Sequence, residues 1–300
     1  MENNLKNIIN KYKAKKVTLK NSAKIIENEN TRLVIKKDNP NILETYNYLL
    51  SRSFDYFPKI IYKDNDYNVY EYVEDVNEPS EQRILDIITL TSILHSKTTF
   101  YKEVDIDNYK YLYETINKKL EYLFNYYNDI ITLIEKNIYM SPSDYIIARN
   151  TNKIFETINY CKYEVDSWYE LIKDKRKIRV VNIHNNLSLD HYIKNDKPYL
   201  ISWNKNKIDM PIYDLLTLYK KYYLEFDFYE LFNYYESRYP LTNEERKMLF
   251  ILMSIPEKLV LDSSEYKNSI KCRKFFDYIY KTEELINEYK SIKDKTINEN

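Results

Sequence analysis

Between Val180 and Leu215 the chain gathers the side chains that could handle a proton or a metal ion: His184, Asn186, Asp190, His191, Asp196, Ser202, Asn204, Asp209 and Asp214. They follow two apolar, strand-like runs, Val180-Val181-Asn182-Ile183 and Pro198-Tyr199-Leu200-Ile201. Asn186 can accept a hydrogen bond but takes no proton at neutral pH. Ser202 brings no charge to a cation, and magnesium prefers hard anionic oxygens. His191 offers nitrogen, which suits zinc or nickel better. Asp190 or Asp209 with His191 would make a rearranged metal site; the plainer assignment is turn and cap acids. Lys36 closes the run Leu33-Val34-Ile35-Lys36, but it stands among many other lysines.

The order His184-Asn185-Asn186 to His191, then Leu200-Ile201-Ser202-Trp203-Asn204, then Pro211-Ile212-Tyr213-Asp214-Leu215 resembles the catalytic core of the aminoglycoside phosphotransferase and choline kinase family, a branch of the protein-kinase-like fold. In that family an apolar strand leads into H-G-D-x-x-x-x-N, a second strand ends in an L-I-D-W-D type motif, and a helix opens with Asp-Leu. The resemblance implies an α+β, two-lobed fold, with a small N-terminal antiparallel-sheet lobe at 1–76 and a large, mainly helical lobe at 77–300. It also implies a helical hairpin inserted at 105–174 and a catalytic core at 178–215. The family's catalytic base then falls on Asn186, its metal-binding Asn on His191, its metal-binding Asp on Ser202 and a second acid on Asn204. His184 keeps a structural role, and Asp214 caps the following helix or braces the loop. Lys36 becomes the lysine that holds nucleotide phosphates, with Glu44 as its acidic partner; on the residues alone, Glu44 is a solvated helix charge.

Four substitutions point the same way, while Pro198, Tyr199, Trp203, Pro211, Asp214 and Leu215 keep the scaffold pattern. The expectation is a catalytically degenerate kinase-like protein acting as a binding or scaffold module with a protein partner and no cofactor. ATP and magnesium enter only in two alternatives: an active small-molecule phosphotransferase with a non-standard site, or a metal-independent nucleotide sensor. The inserted hairpin and Met248–Pro256 resemble the spore-coat-associated kinase-like subfamily, which implies a spore-coat link.

The elements that must position these residues are legible from periodicity. Leu5, Ile8, Ile9 and Tyr12 recur at helical spacing. Extended runs follow at Val17–Lys20, Lys24–Glu27 and Thr31–Lys36, with Asn28-Glu29-Asn30 as a turn, since Asn tolerates left-handed backbone. A helix spans Asn41–Ser53, then two strands meet across Lys63-Asp64-Asn65-Asp66. Glu71–Asp75 is similar to the family's hinge. A helix from Ser80 ends at Leu94-His95, where His95 is a helix-end histidine. Two long Tyr-rich helical runs, 108–136 and 142–173, form the hairpin, their aromatic stripe being core. After the central stretch come helices at 212–224 and 228–238. Thr242 and Glu245 then make a capping box, and two last helices span 266–280 and 282–292.

Composition narrows the classes. The 300 residues, 44% apolar, suffice for a substantial core. Lys plus Arg and Asp plus Glu balance at 46 each, so no global field argues for nucleic acid. The chain has no Gly and 34 Tyr, a skew that an AT-rich genome produces. Cys161 and Cys272 lack metal or redox spacing and read as reduced, buried thiols. The N-terminus is too polar for a signal peptide and no run is apolar enough to span a membrane, so the expected location is the cytoplasm. Oligomeric state is left open.

Overall fold

The computed structural model describes residues 2–20, 23–29 and 31–298. The chain divides into two compact units, Met1–Thr99 with Val181–Asp209, and Phe100–Val180 with Met210–Asn300. The division therefore puts the helix after the hinge and most of the motif stretch with the sheet, whereas the motif pattern places a lobe boundary after residue 76.

The first unit is built on a five-stranded antiparallel sheet in the order β1-β2-β3-β5-β4. Its strands are β1 (Lys16–Lys20), β2 (Ala23–Glu27), β3 (Arg32–Lys37), β4 (Ile60–Lys63) and β5 (Tyr67–Glu71). Helix α1 (Glu2–Lys11) covers one face, where Ile8 packs with Ile26, Leu33, Ile35 and Val69. Side chains alternate along a strand, so Val34 and Lys36 of β3 turn to the opposite face. Their cross-strand partners Tyr70 and Asn68 turn with them. Strands β1 and β2 stay in register up to Lys20↔Ala23. Residues 21 and 22, between them, lie outside the described residues. After β2 the Asn28 side-chain oxygen accepts from the Thr31 backbone N–H at 2.6 Å; Asn30 of the expected turn lies outside the described residues.

Helix α2 (Ile42–Ser51) buries Ile42, Thr45, Tyr46 and Leu49, and Tyr46 stacks on Phe57 with ring centroids 3.9 Å apart. Helix α3 (Ser80–Thr98) buries Ile84, Ile87, Ile88 and Leu94. In this unit the end of β7 (Lys177–Ile183) pairs with β10 (Lys207–Asp209), and β8 (Tyr192–Lys194) pairs with β9 (Pro198–Leu200).

In the second unit β6 (Phe100–Glu103) pairs with the start of β7, and seven helices make the rest of the described structure. The stretch read as a hairpin holds three helices, α4 (Ile106–Glu135), α5 (Pro142–Arg149) and α6 (Thr151–Ile172). A capping box at Ser141 and Asp144, with Pro142 at the start, opens α5. The aromatic stripe of the hairpin is core only in part: Tyr109 and Tyr127 are buried, whereas Tyr111, Tyr122, Tyr145 and Tyr163 are exposed, because the stripe runs round the helices instead of along one face; Tyr219 and Tyr235, later in the unit, are fully buried. Leu259 N–H donates to the Tyr127 hydroxyl, and the half-buried Tyr126 hydroxyl donates to the Leu259 carbonyl at 2.8 Å. Helices α7 (Ile212–Tyr222), α8 (Phe228–Glu236) and α9 (Asn243–Ser254) follow, the last opened by the Thr242–Glu245 box. One expectation fails: residues 266–292 form not two helices but part of a single one, α10 (Glu265–Asn298). No Pro or Gly interrupts it, and Thr282 bonds back to the Tyr278 carbonyl within the helix at 2.8 Å. Cys161 and Cys272 are buried and free, and burial pushes the Cys161 thiol up to about 12. Among the described residues no helix is long and apolar enough to cross a membrane.

Candidate functional site

The site lies in the first unit, and its frame is a set of bonds that leave little freedom. Arg83 of α3 donates to the Tyr192 carbonyl at 2.6 Å and pairs with Asp75. The Tyr192 hydroxyl donates to Asp86 at 2.5 Å, and Lys194 reaches the same carboxylate at 3.2 Å. Burial raises the Asp86 carboxyl and the bonds from Tyr192, Gln82 and Lys194 lower it, with a net fall below its ordinary value. Val76 N–H donates to the Lys194 carbonyl and Leu200 N–H to the Tyr56 carbonyl, each at 2.8 Å. The motif stretch is thereby sewn to the hinge and to α3.

His184 is fully buried at the end of β7. Its Nε2 bonds the Ile201 carbonyl at 2.9 Å, and its ring meets Trp203 edge-on at 4.6 Å. Phe54 and Phe57 pack on the other edges of that indole. Next comes Asn185, whose φ of 56° is left-handed, a conformation Asn adopts more readily than other side-chain-bearing residues. The family pattern has Gly there. The Asn185 amide donates to the Lys205 carbonyl at 3.0 Å. Asn186 follows, half-buried, its amide 3.4 Å from the Ser202 carbonyl. His191 Nδ1 donates to the Asn186 carbonyl at 2.6 Å, which leaves Nε2 as the ring's acceptor position in the neutral form.

Ser202 also has a left-handed backbone, at φ 68°. That bend presents its hydroxyl to Lys36, whose Nζ donates to Ser202 Oγ at 3.2 Å across 166 positions of sequence. Burial lowers the Lys36 ammonium from its ordinary value, and among the described residues no carboxylate raises it again. Glu44, by contrast, is exposed on α2, so the polar neighbour of Lys36 is Ser202. The residue after it, Thr45, is the buried one and donates to Asn206 Oδ1 at 3.4 Å. Asn204 is exposed.

Of the expected positions, then, Lys36, His184, Asn186, His191 and Ser202 are brought together, while Glu44 and Asn204 face solvent. Asp190 is exposed, Asp209 pairs with Lys207 at 2.6 Å, and in the second unit Asp214 is buried in the first turn of α7, past its cap at Pro211. Thr45, Asn206 and Asn68 were not legible as site residues. Only Thr45 carried a signal, standing on the buried side of a helix at the position after Glu44. Asn68, opposite Lys36 in register, is fully buried with neither amide atom hydrogen-bonded, although the Tyr70 hydroxyl is near enough to feel it.

The donor set does not suit magnesium. Ser202 is neutral and already accepts from a cation, His191 presents nitrogen, and Asn186, whose NH2 donates to the Ser202 carbonyl, offers only a neutral amide oxygen. Among the described residues no group of three His, Cys, Asp or Glu could hold a metal ion. What the arrangement can do is bind: a half-buried ammonium and a hydroxyl converge on one point, with neutral amides around them.

No family model and no curated protein matches the chain. Among solved structures, the chain is similar to an aminoglycoside phosphotransferase from Alicyclobacillus acidocaldarius subsp. acidocaldarius DSM 446, with a TM-score of 0.66 and 9% identity over 93% of both chains. It is also similar to the AMP-bound complex of a spectinomycin phosphotransferase, with a TM-score of 0.54 and 12% identity over 92% of this chain and 97% of that one. At such identities the likeness is one of fold. The chain has the protein-kinase-like α+β fold of the aminoglycoside phosphotransferases.

Proposed function

We propose that this chain is a kinase-like module that no longer carries out magnesium-dependent phosphoryl transfer and works by binding. The observation that carries this is the contact between Lys36 Nζ and Ser202 Oγ. Phosphoryl transfer by this fold rests on positioning and on neutralising charge through metal ions. A hydroxyl at the metal-holding place, an amide at the base position Asn186 and an imidazole at His191 supply neither the anchor nor the proton acceptor. Loss of a general base alone costs ~10²–10⁴-fold; loss of the metal anchor removes the reason for the geometry.

ATP turnover over long incubations, with magnesium or manganese and with aminoglycosides or choline as acceptors, is expected to stay at the buffer rate. Neither cation should add to any thermal shift that ATP, ADP or GTP produces. Metal-dependent turnover that disappears in Asn186→Ala and Lys36→Ala would overturn the proposal in favour of an active phosphotransferase with a non-standard site. The solved neighbours named as phosphotransferases keep that second reading in play. A shift that ATP gives equally in EDTA favours a nucleotide sensor, for which the uncompensated Lys36 charge is the supporting observation.

A protein partner belongs to the same proposal. Ile138 and Tyr139, in the loop between α4 and α5, are almost fully exposed, the kind of side chains that interfaces bury. A spore-coat setting rests on the likeness of the inserted hairpin alone. Mass-spectrometric identification of cross-linked partners from the source cell tests both.

A further inference from the structure

The contact between Lys36 and Ser202 has the make-up of a nucleophile and its base. Lys36 Nζ lies 3.2 Å from Ser202 Oγ, within the reach that a general base needs. Both residues are half-buried, so the pair is sheltered and still open to a ligand. A serine hydroxyl is a weak nucleophile until a neighbouring base takes its proton. A lysine is such a base only as the neutral amine, and burial away from acids favours that form.

Lys36 meets that condition, and other lysines of its unit do not. Lys63 faces Asp38 at 3.2 Å, Lys194 faces Asp86 at 3.2 Å and Lys197 faces Asp55 at 2.6 Å. Lys36 faces a hydroxyl, and burial alone acts on its ammonium.

The backbone holds Ser202 in place for attack. Its left-handed conformation, at φ 68°, falls between β9 and the short helical turn Trp203–Lys205, and strain of this kind gathers at functional positions. The bend is pinned on both sides. His184 Nε2 bonds the Ile201 carbonyl at 2.9 Å, and Trp203 Nε1 donates to the Leu200 carbonyl at 2.8 Å. The Asn186 amide reaches the Ser202 carbonyl only at 3.4 Å, a long bond, which leaves a neutral donor beside the nucleophile for a developing negative oxygen.

We propose that Ser202 and Lys36 form a dyad that captures activated acyl compounds, esters or thioesters, as an ester on Ser202. That capture presupposes the binding role proposed above and gives it a ligand class, held covalently without metal or nucleotide. Lys36 takes the hydroxyl proton as Ser202 Oγ bonds to the acyl carbon and the carbonyl oxygen becomes an oxyanion. The oxyanion then collapses, the bond from carbon to the leaving oxygen or sulfur breaks, and the leaving group takes the proton from Lys36. Water attacking by the same route releases the acid and restores the serine.

The test treats the full chain, in EDTA and without nucleotide, with p-nitrophenyl acetate and separately with an alkyl fluorophosphonate, and maps the adducts by mass spectrometry of its peptides. An adduct on Ser202 is expected, formed at least about tenfold faster than on any other serine. Ser202→Ala should remove it. Lys36→Arg keeps a charged donor for Ser202 but cannot accept a proton, and should slow the adduct by ~10²-fold. Circular dichroism checks that both variants fold. No Ser202 adduct on the folded chain, label confined to lysines, or an equal rate in folded Lys36→Arg would overturn the dyad. If ATP turnover also stays at the buffer rate, such a result sinks the dyad alone and leaves the binding role standing. Metal-dependent turnover would sink that role, and the dyad with it.

Discussion

Both units take charged groups out of water and pair most of them, as Arg83 with Asp75 in the first unit, but at Lys36 the first unit departs from that pattern. In the second unit Glu245 is 4% exposed and pairs with Arg179 while its carboxylate also closes the capping box at the start of α9. Glu164, 7% exposed, is shared by Lys247 and Lys290. In the first unit Lys36 is half-buried and meets only a hydroxyl. The chain therefore has not run short of acids: it pairs them where they hold helices together, while Lys36 is left with a hydroxyl. A protein drifting at random would lose packing pairs as readily as site residues. The contrast between these pairs and Lys36 can be broken or sharpened by mutation.

The largest effect is expected at the packed pair. Glu245→Ala strands Arg179 and removes the cap, and should lower unfolding free energy by about 3–5 kcal/mol, the usual cost of breaking a buried pair. Urea denaturation measures it; a loss below ~1 kcal/mol would put this pair in the class of surface bridges. Next comes Glu164. Burial raises its carboxyl, and the bonds from Lys247 and Lys290 lower it further, so that it ends below its ordinary 4.5. A depressed acid contributes stability in full above the unfolded value, and that contribution drains away as pH falls through the folded one. Thermal melts from pH 6 to pH 3 should show a falling midpoint, and Glu164→Gln should flatten part of that slope.

Lys36 should respond with the opposite sign. Its folded pKa is lowered, so between that value and 10.5 the unfolded chain binds more protons and stability rises with pH. Lys36→Met removes a desolvated charge that lacks a partner and should stabilise by on the order of 1 kcal/mol, as apolar replacements of buried ionic groups do. Ser202→Asp, which supplies the missing acid, should stabilise too; destabilisation by both variants would show that the neutral contact is already the better one. The smallest change is expected at Asn68. Leucine is close in shape and removes two unpartnered buried atoms, so Asn68→Leu should gain ~0.5–1 kcal/mol; a loss would reveal a bound water holding the amide.

Much of this architecture could be read from local pattern. The amphipathic spacing of Leu5, Ile8 and Ile9, the Ser141 and Thr242 helix starts and the alternation around Leu33 and Ile35 are encoded within a few residues, and they formed as read. The helix starting at Glu265 was split wrongly because a tyrosine-rich run without breakers gives no local sign of where it stops. The site was legible only in part, for a related reason. Asn186, His191 and Ser202 stood out because they interrupt a motif, and His184 because it keeps its place in one. That Lys36 would choose Ser202 over Glu44 depends on which face of β3 and α2 each side chain takes after packing. Asn68 was invisible because an asparagine in a strand gains meaning only from the residue across from it.

The left-handed residues have a last consequence. Lys13, Ser53, Asn185 and Ser202 all bend the chain with φ between 48° and 68°, in a protein without a single glycine. Side-chain-bearing residues resist that conformation, so these bends are imposed by their surroundings. A peptide cut out from 180 to 206 would straighten at Asn185 and Ser202, and the hydroxyl that meets Lys36 would point nowhere in particular.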